Sequence, residues 1–364
     1  MNLFSGIYKD KKVLVTGHTG FKGSWLSYWL INLGADVYGI SDKINTNPSH
    51  FELLQLQMKS FFIDIRDNQL LDATIKEINP DIIFHLAAQP LVRYSYKEPV
   101  ETFATNIMGT VHILNTCKAL SNIKGIVNIT SDKCYENFED DRPYNETDRM
   151  GGYDPYSASK GAAELVVSSF RNSFFNIAHF GIKHHFILAS ARAGNVIGGG
   201  DWSEDRLIPD LVKNVATKSI TTIRSPYATR PWQHVLEPLS GYLALGQRVL
   251  EGDVSVSDGW NFGPENNETL TVKQVLEIAS KVWNELQFDF PILQNQPHEA
   301  NLLRLDCTKA LQKLNWIPVW NIEESIYKTI NWYKKFYTED VIVTSNDLMD
   351  YIQQAKNKKL EWTK

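Results

Sequence analysis

The sequence predicts an α/β fold, a doubly wound parallel (Rossmann) sheet with a smaller C-terminal substrate-binding lobe. Three features predict it. Short, continuously apolar runs alternate with longer stretches of helical periodicity through the first half of the chain. A glycine-rich turn joins the first apolar run to the first helix, and the alternation loosens after about residue 190. Strands that are apolar throughout belong to a sheet covered on both faces, and helices between such strands make it parallel.

The expected strands are 12–16, 36–40, 61–65, 81–86, 125–130 and 186–190. The first helix is expected over 23–33, where Trp25, Leu26, Trp29, Leu30 and Leu33 form one stripe. Further helical periodicity falls at 68–79, 99–121 and 155–175, then at 206–217, 236–250, 271–286 and 322–336. Residues 1–190 are therefore expected to form a dinucleotide-binding domain, to which segments near 235–262 return. Residues 191–234 and 263–340 make the second lobe, and 341–364 read as a polar tail of unclear role.

Composition narrows the classes. With 42 acidic against 37 basic residues in 364, the chain lacks the basic excess of a nucleic-acid binder. Cys117, Cys134 and Cys307 show neither CxxC pairing nor metal-ligand spacing, so neither a disulfide framework nor a metal site is expected. The opening MNLFSGIYKDKK has no apolar run of signal-peptide length. No stretch approaches the roughly 18 to 20 apolar residues of a membrane span, so a cytoplasmic, membrane-free enzyme is expected. The ten Trp admit two uses, core packing or stacking on a sugar or base.

Gly17-His18-Thr19-Gly20-Phe21-Lys22-Gly23 follows the first strand and opens the first helix. Glycines here allow the tight turn, the close approach of a pyrophosphate and the packing of helix on strand. The helix N-terminus then offers unpaired N–H groups to the phosphates. His18 and Lys22 either approach those phosphates or face solvent. Asp42, just past the second strand, suits ribose hydroxyls and disfavours a 2′-phosphate, so NAD is the expected cofactor. Asp64, after the third strand, either meets the adenine or caps the next helix, a job for which Asp67 and Asn68 compete.

Tyr156 and Lys160 are four apart on a predicted helix and share a face. An ammonium beside a phenol favours the phenolate, which makes Tyr156 a proton acceptor for a substrate hydroxyl. Thr130-Ser131-Asp132-Lys133 falls where the fifth strand ends, the edge at which α/β sheets bind ligands. It reads either as a catalytic cluster or as a turn with satisfied polar groups.

Together with His85–Gln89 (HLAAQ), Asn106, Arg192-Ala193-Gly194-Asn195, Leu207-Ile208-Pro209 and Asn261-Phe262-Gly263-Pro264, these motifs resemble the extended short-chain dehydrogenase/reductase family, over roughly residues 8 to 335. The resemblance implies NAD bound by Gly17, Thr19, Gly20, Phe21, Gly23, Asp42, Asp64, Ile65, Leu86, Ala87, Ala88, Asn106, Tyr156 and Lys160. It implies a nucleotide-diphosphate hexose as substrate, CDP-glucose above others, held by Gln89, Arg192, Asn195, Leu207 and Arg230. Arg192 and Arg230 have an alternative as structural ion pairs. Gly198–Asp201 and Trp202 are expected to border the cleft. The implied reaction is 4,6-dehydration in deoxysugar synthesis. Ser131, Asp132, Lys133, Tyr156 and Lys160 are its catalytic residues, Asp132 the acid for the 6-hydroxyl. Lys133 is either the C5 base or an oxygen ligand. The family also suggests a homodimer through the helices at 99–121 and 155–175. A 4-epimerase would use Tyr156, Lys160 and Ser131 but leave Asp132 and Lys133 idle. A non-catalytic NAD-sensing protein is the more distant rival.

Overall fold

The computed structural model describes residues 1–138, 142–265, 269–291 and 303–364. Its main sheet has seven parallel strands: β1 (Lys12–Thr16), β2 (Asp36–Ser41), β3 (Lys59–Phe62), β4 (Ile82–His85), β5 (Gly125–Ile129), β6 (Ile187–Ala193) and an edge strand, Gly259–Phe262. Across the sheet the order is Gly259–Phe262, β6, β5, β4, β1, β2, β3. The winding reverses between β1 and β4, and a crevice opens at their carboxyl ends. β3 stops short of its expected end because Asp64 begins a turn, with Asp67 N–H bonded to Asp64 O at 3.0 Å. Asp67 then caps the helix Asn68–Ile78 by accepting from Leu70 N–H at 3.1 Å.

The stretch expected as one helix at 99–121 is three pieces: Pro99–Phe103, a π-turn at Ala104–Met108 and Gly109–Cys117. The wide turn carries Asn106, whose side chain is bonded outside the helix, as π-turns at functional sites commonly are. The helix Pro155–Ser173 starts where Asp154 accepts from Ser157 N–H at 2.9 Å and Pro155 takes the first helical position.

The first helix, α1 (Phe21–Asn32), is packed on several sides, with Trp25, Leu26, Trp29 and Leu30 fully buried. Part of what covers it is the chain's end. Residues 341–364, read as a polar tail, instead form the helix Thr344–Asn357 and a turn at Glu361–Thr363. Leu348, Tyr351, Ile352 and Ala355 are its buried stripe, at i, i+3, i+4 and i+7. Tyr351 and Trp362 meet the Trp29 ring edge-on at 5.9 and 5.8 Å. All ten Trp are buried, which settles their use as packing. Among the described residues no helix is long and apolar enough to cross a membrane.

A second apolar core includes Trp202, Leu211, Trp283, Ile326 and Trp332. Gly198-Gly199-Gly200 runs along its seam: a Cβ on Gly199 would lie 2.0 Å from Trp332 Cγ, and one on Gly200 2.5 Å from the His50 ring. Trp202, expected at the cleft, is 2% exposed and packs edge-on against Trp332 at 5.6 Å. The glycines remove the side chains that would hold this loop away from the aromatic wall, so Trp202 turns inward.

Between the docked C-terminal helix and the helix Leu236–Glu251 lies a buried carboxyl, Glu237. It accepts from Val319 N–H (2.9 Å), Trp320 N–H (2.8 Å) and the Tyr351 hydroxyl (2.8 Å). Burial outweighs these bonds and pushes Glu237 up to about 7. A carboxyl raised above its unfolded value holds a proton in the folded chain that the unfolded chain has lost. Its contribution is therefore complete below the unfolded pKa of about 4.3 and is lost as pH rises toward 7. Thermal midpoints are expected to fall between pH 5 and about 7.5. The same scan on Glu237→Gln should give a shallower slope, and an identical slope would contradict the assignment.

Candidate active site

The glycine loop closes on the end of β4. Gly17 has φ +75°, and a Cβ there would sit 2.8 Å from Ala87 N. A Cβ on Gly23 would lie 2.0 Å from Gly17 O. No side chain caps the N-terminus of α1, where Gly20 is the N-cap. An uncapped helix start beside strand carboxyl ends is an anion site. Asp42 is exposed directly after β2, and half-buried Leu86, Ala87 and Ala88 follow β4. Phe21 is half-buried, its ring tip 3.1 Å from where a Gly198 Cβ would be. The glycine cradle, the uncapped helix and the acid after β2 fit a dinucleotide without a 2′-phosphate.

Several residues expected at the cofactor or substrate have other employment. Thr19 is buried, and its hydroxyl donates to Lys43 O at 2.8 Å, bracing the loop to the end of β2. His18 is fully buried, bonded to Ser41 Oγ at 3.0 Å and edge-on to Phe51. The Asp64 carboxylate is clasped by Arg66 at 2.5 Å, and capping falls to Asp67. The Ile65 side chain is buried against Gly109. Asn106, 2% exposed, donates to Gln89 O (3.1 Å) and Ser159 Oγ (2.8 Å) and accepts from Gln89 N–H (2.8 Å). It thereby joins the loop after β4 to the helix Pro155–Ser173. Gln89, expected on the substrate, spends its amide on Leu91 O (3.1 Å) and Thr102 Oγ1 (2.8 Å).

Arg192 corrects the sequence reading most sharply. Expected on the diphosphate, it is 5% exposed and ion-paired to Glu164 at 2.7 Å, so its structural alternative holds. Arg230 is half-buried on a two-residue strand, Thr229–Arg230, and donates to Thr229 O at 2.9 Å. Asn195 and Leu207 are half-buried, Leu207 opening the helix Leu207–Thr217.

The turn after β5 and the helix Pro155–Ser173 bring the reactive groups together. Ser131 hydrogen-bonds the Tyr156 phenol and donates to Asp132 Oδ1 at 2.9 Å. Asp132 is 3% exposed, and burial raises its pKa against the opposing charges of Lys133 and Lys22. A Cβ on Gly194 would fall 2.7 Å from Asp132 Oδ2, so the glycine makes room for this carboxyl. Lys133 is half-buried. Lys160 Nζ lies 6.0 Å from the Tyr156 ring centroid. Burial lowers Lys160 to about 8, with Cys134 and Glu164 opposing. Tyr156 does not show the expected lowering in the isolated chain. Burial takes it to about 12, and the opposing hydrogen bond comes from Ser131. Desolvation wins because both groups of the pair are buried and the phenol is neutral to begin with.

Arg206 escaped the sequence reading, and Lys22 was given a different place. Arg206 pairs with the buried Asp201 at 2.8 Å, and its charge is felt at Tyr156 and Lys22. Lys22, assigned to phosphates or solvent, is half-buried among the charges of Arg206, Asp132, Lys160 and Asp201. Burial, then Arg206, lowers it to about 7. Its place on the first turn of α1 was the available signal. What the chain could not reveal was that this turn faces the one after β5.

The family model described as GDP-mannose 4,6 dehydratase matches residues 14–329. The chain belongs to this family. It is 50% identical over 349 residues to the CDP-glucose 4,6-dehydratase of Salmonella typhimurium, an alignment covering 95% of this chain and 97% of the relative. Solved structures agree in fold. An epimerase from Methanothermobacter thermautotrophicus superposes with TM-score 0.80 at 22% identity, covering 93% of this chain and 96% of that one. A dTDP-glucose 4,6-dehydratase from Bacillus anthracis, in complex with NAD, gives 0.72 at 20% identity, covering 89% and 97%.

Proposed function

We propose that the chain catalyses the NAD-dependent 4,6-dehydration of a nucleotide-diphosphate hexose, CDP-glucose to CDP-4-keto-6-deoxyglucose, for deoxysugar synthesis. The observation that carries this is a buried Asp132, its pKa raised by burial, hydrogen-bonded to the same Ser131 that engages Tyr156. A 4-epimerase needs the tyrosine and serine but has no task for such an acid. The full-length identity to a CDP-glucose dehydratase supports the substrate.

A dinucleotide held by the Gly17–Gly23 loop, the start of α1 and Asp42 would supply hydride exchange, accepting at C4 and donating at C6. The chain's own residues do the rest. Tyr156 accepts the 4-hydroxyl proton, and Ser131 holds the 4-oxygen. Lys160 lies one helical turn beyond, where an ammonium favours the phenolate that Tyr156 must be before it takes that proton. The 4-ketone acidifies the C5 proton. Lys22, desolvated and lowered to about 7, removes it, while Asp132 protonates the departing 6-hydroxyl. Lys133, beside Asp132 and half-buried, binds a sugar oxygen. Arg206 faces the same cleft and, with Asn195, Leu207 and Arg230, serves the nucleotide diphosphate. Residues 1–190 and 235–262 serve as the dinucleotide domain, the lobe residues as the sugar-nucleotide side.

The enzyme is assigned to the cytoplasm, where its unpaired cysteines remain reduced. It is assigned as a homodimer through the helices at 99–121 and 155–175, whose Val100, Met108 and Leu165 are exposed apolar side chains. The decisive experiment incubates the purified protein with CDP-, dTDP-, UDP- and GDP-glucose without added NAD. A 4-keto-6-deoxy product from CDP-glucose is expected, well ahead of the others. A 4-epimer with no loss of water would overturn the reading.

A further inference from the structure

Tyr156, Lys160 and Glu164 follow one another at intervals of four on the helix Pro155–Ser173 and share its sheet-facing side. The first two are explained by the reaction proposed above. Glu164 is 4% exposed and one turn beyond Lys160. Its carboxylate accepts from Thr130 Oγ1 at 2.5 Å, Ser190 Oγ at 2.9 Å and Arg192 Nη2 at 2.7 Å. Thr130 immediately precedes Ser131. The other arm of Arg192, Nη1, donates to the Tyr135 hydroxyl at 2.7 Å, and Tyr135 donates to Asn261 Oδ1 at 2.8 Å. Tyr135 closes the turn that carries Asp132 and Lys133. The segment bearing three reactive side chains is thus held at both ends by one buried ion pair, rooted in the helix that bears the other two.

We propose that Glu164 and Arg192 are positioning residues. They lock the Ser131–Lys133 turn to the Tyr156–Lys160 helix, and Glu164 supplies the anion that keeps Lys160 an ammonium during turnover. This rests on the dehydratase reading.

A buried ion pair is a poor device for stability alone, because desolvating two charges cancels much of their attraction. It is a good device for fixing geometry, because each oxygen and nitrogen accepts only particular partners. Here three contacts converge on Glu164, from Thr130 just past β5 and from Ser190 and Arg192 on β6, so a shift of the turn against the helix breaks several at once. The electrostatic part follows from the surroundings of Lys160. Its own helix presents Tyr156 and Glu164, the turn after β5 presents Cys134, α1 presents Lys22, and β4 presents His85. Burial holds His85 neutral, and Cys134 is pushed well up by the same cause, so both are uncharged at pH 7. Glu164, held below the usual glutamate value by Arg192, Thr130 and Ser190, is the one permanent negative charge in that set. It opposes the burial that lowers Lys160.

The test compares variants in an enzyme already shown to dehydrate CDP-glucose, so failure of the reaction assignment is seen first and separately. Removing one partner strands a buried charge. The informative variant is therefore Glu164→Gln with Arg192→Met, which removes both charges and leaves an amide for Thr130 and Ser190. It is expected to fold and retain its cofactor. Its kcat should fall about tenfold to a hundredfold, and the alkaline limb of its kcat profile should move down by about one pH unit. A merely structural pair would lower the melting midpoint and leave that limb in place, and this outcome overturns the proposal. If the double variant does not fold, Glu164→Asp decides, because it keeps both charges and shortens one arm. A lower kcat with an unmoved alkaline limb supports the proposal, and an unchanged kcat overturns it.

Discussion

Asp132→Asn is expected to lower 4-keto-6-deoxysugar formation by about 10³-fold while leaving the first half of the reaction intact. The carboxyl is 3% exposed, and burial raises its pKa, favouring the protonated form more than in an exposed aspartate. That proton is what the departing 6-hydroxyl requires. Asparagine preserves the shape beside Gly194, and its amide oxygen still accepts from Ser131 Oγ, but it has no acidic proton to give. Oxidation at C4 depends on Tyr156, Ser131 and Lys160, which the substitution does not touch. Mixing the variant with substrate should therefore produce the reduced-nicotinamide absorbance, and that signal should persist, because no acceptor forms at C6. The wild type should show it only transiently. The sign of the pH dependence follows from the raised pKa. Activity is full while Asp132 is protonated and declines as pH rises through its folded value. Normal dehydration by Asp132→Asn would remove the acid from this position and with it the main argument against an epimerase.

The fold was legible where local chemistry is sufficient. The glycine loop, the apolar strands and the Tyr-Lys spacing each dictate their element with little help from distant residues. What was not legible depended on tertiary partners. Arg192 after a strand reads as a phosphate ligand until Glu164, 28 residues earlier in the chain, is found beside it at 2.7 Å. Gln89 and Thr19 look like ligand contacts because they are polar and well placed, but the loops that carry them consume their hydrogen bonds. Trp202 follows a glycine run and reads as a cleft border, yet those glycines exist so that the chain can lie against Trp332 and His50. The terminal helix was hidden for a different reason. Its apolar stripe at Leu348, Tyr351, Ile352 and Ala355 is one narrow line in a charged segment, and only the docking of Trp362 and Tyr351 on Trp29 shows what the stripe is for. Lys22 sits inside the motif that was read best. The motif explains its backbone, while its side chain belongs to the chemistry on the far side of the crevice.

Lys22→Met is expected to lower kcat by about 10²-fold and, more tellingly, to remove the acid limb of the pH profile. The 4-ketone intermediate requires a base for its C5 proton, and the turn after β5 supplies an acid and a second lysine but no carboxylate in the base's place. An ordinary lysine is charged at neutral pH and cannot accept a proton. Lys22 differs because burial strips its water and Arg206 and Lys160 repel its charge, which together outweigh Asp132 and Asp201 and bring it to about 7. About half the amines are then neutral at pH 7. For a base, activity rises as pH climbs through that value, giving an acid limb opposite in sense to the decline that an acid such as Asp132 produces. Methionine matches the length and apolar stem of lysine and leaves no titrating group, so the limb should vanish rather than shift. Lys133→Met, as a control, is expected to weaken substrate binding and keep the limb. If Lys22 instead only neutralises cofactor phosphates, its methionine variant will lose bound NAD and recover most of its rate when NAD is supplied in excess, with the acid limb unchanged. That result would move the C5 base elsewhere in the cleft, with Lys133 as the next group to test.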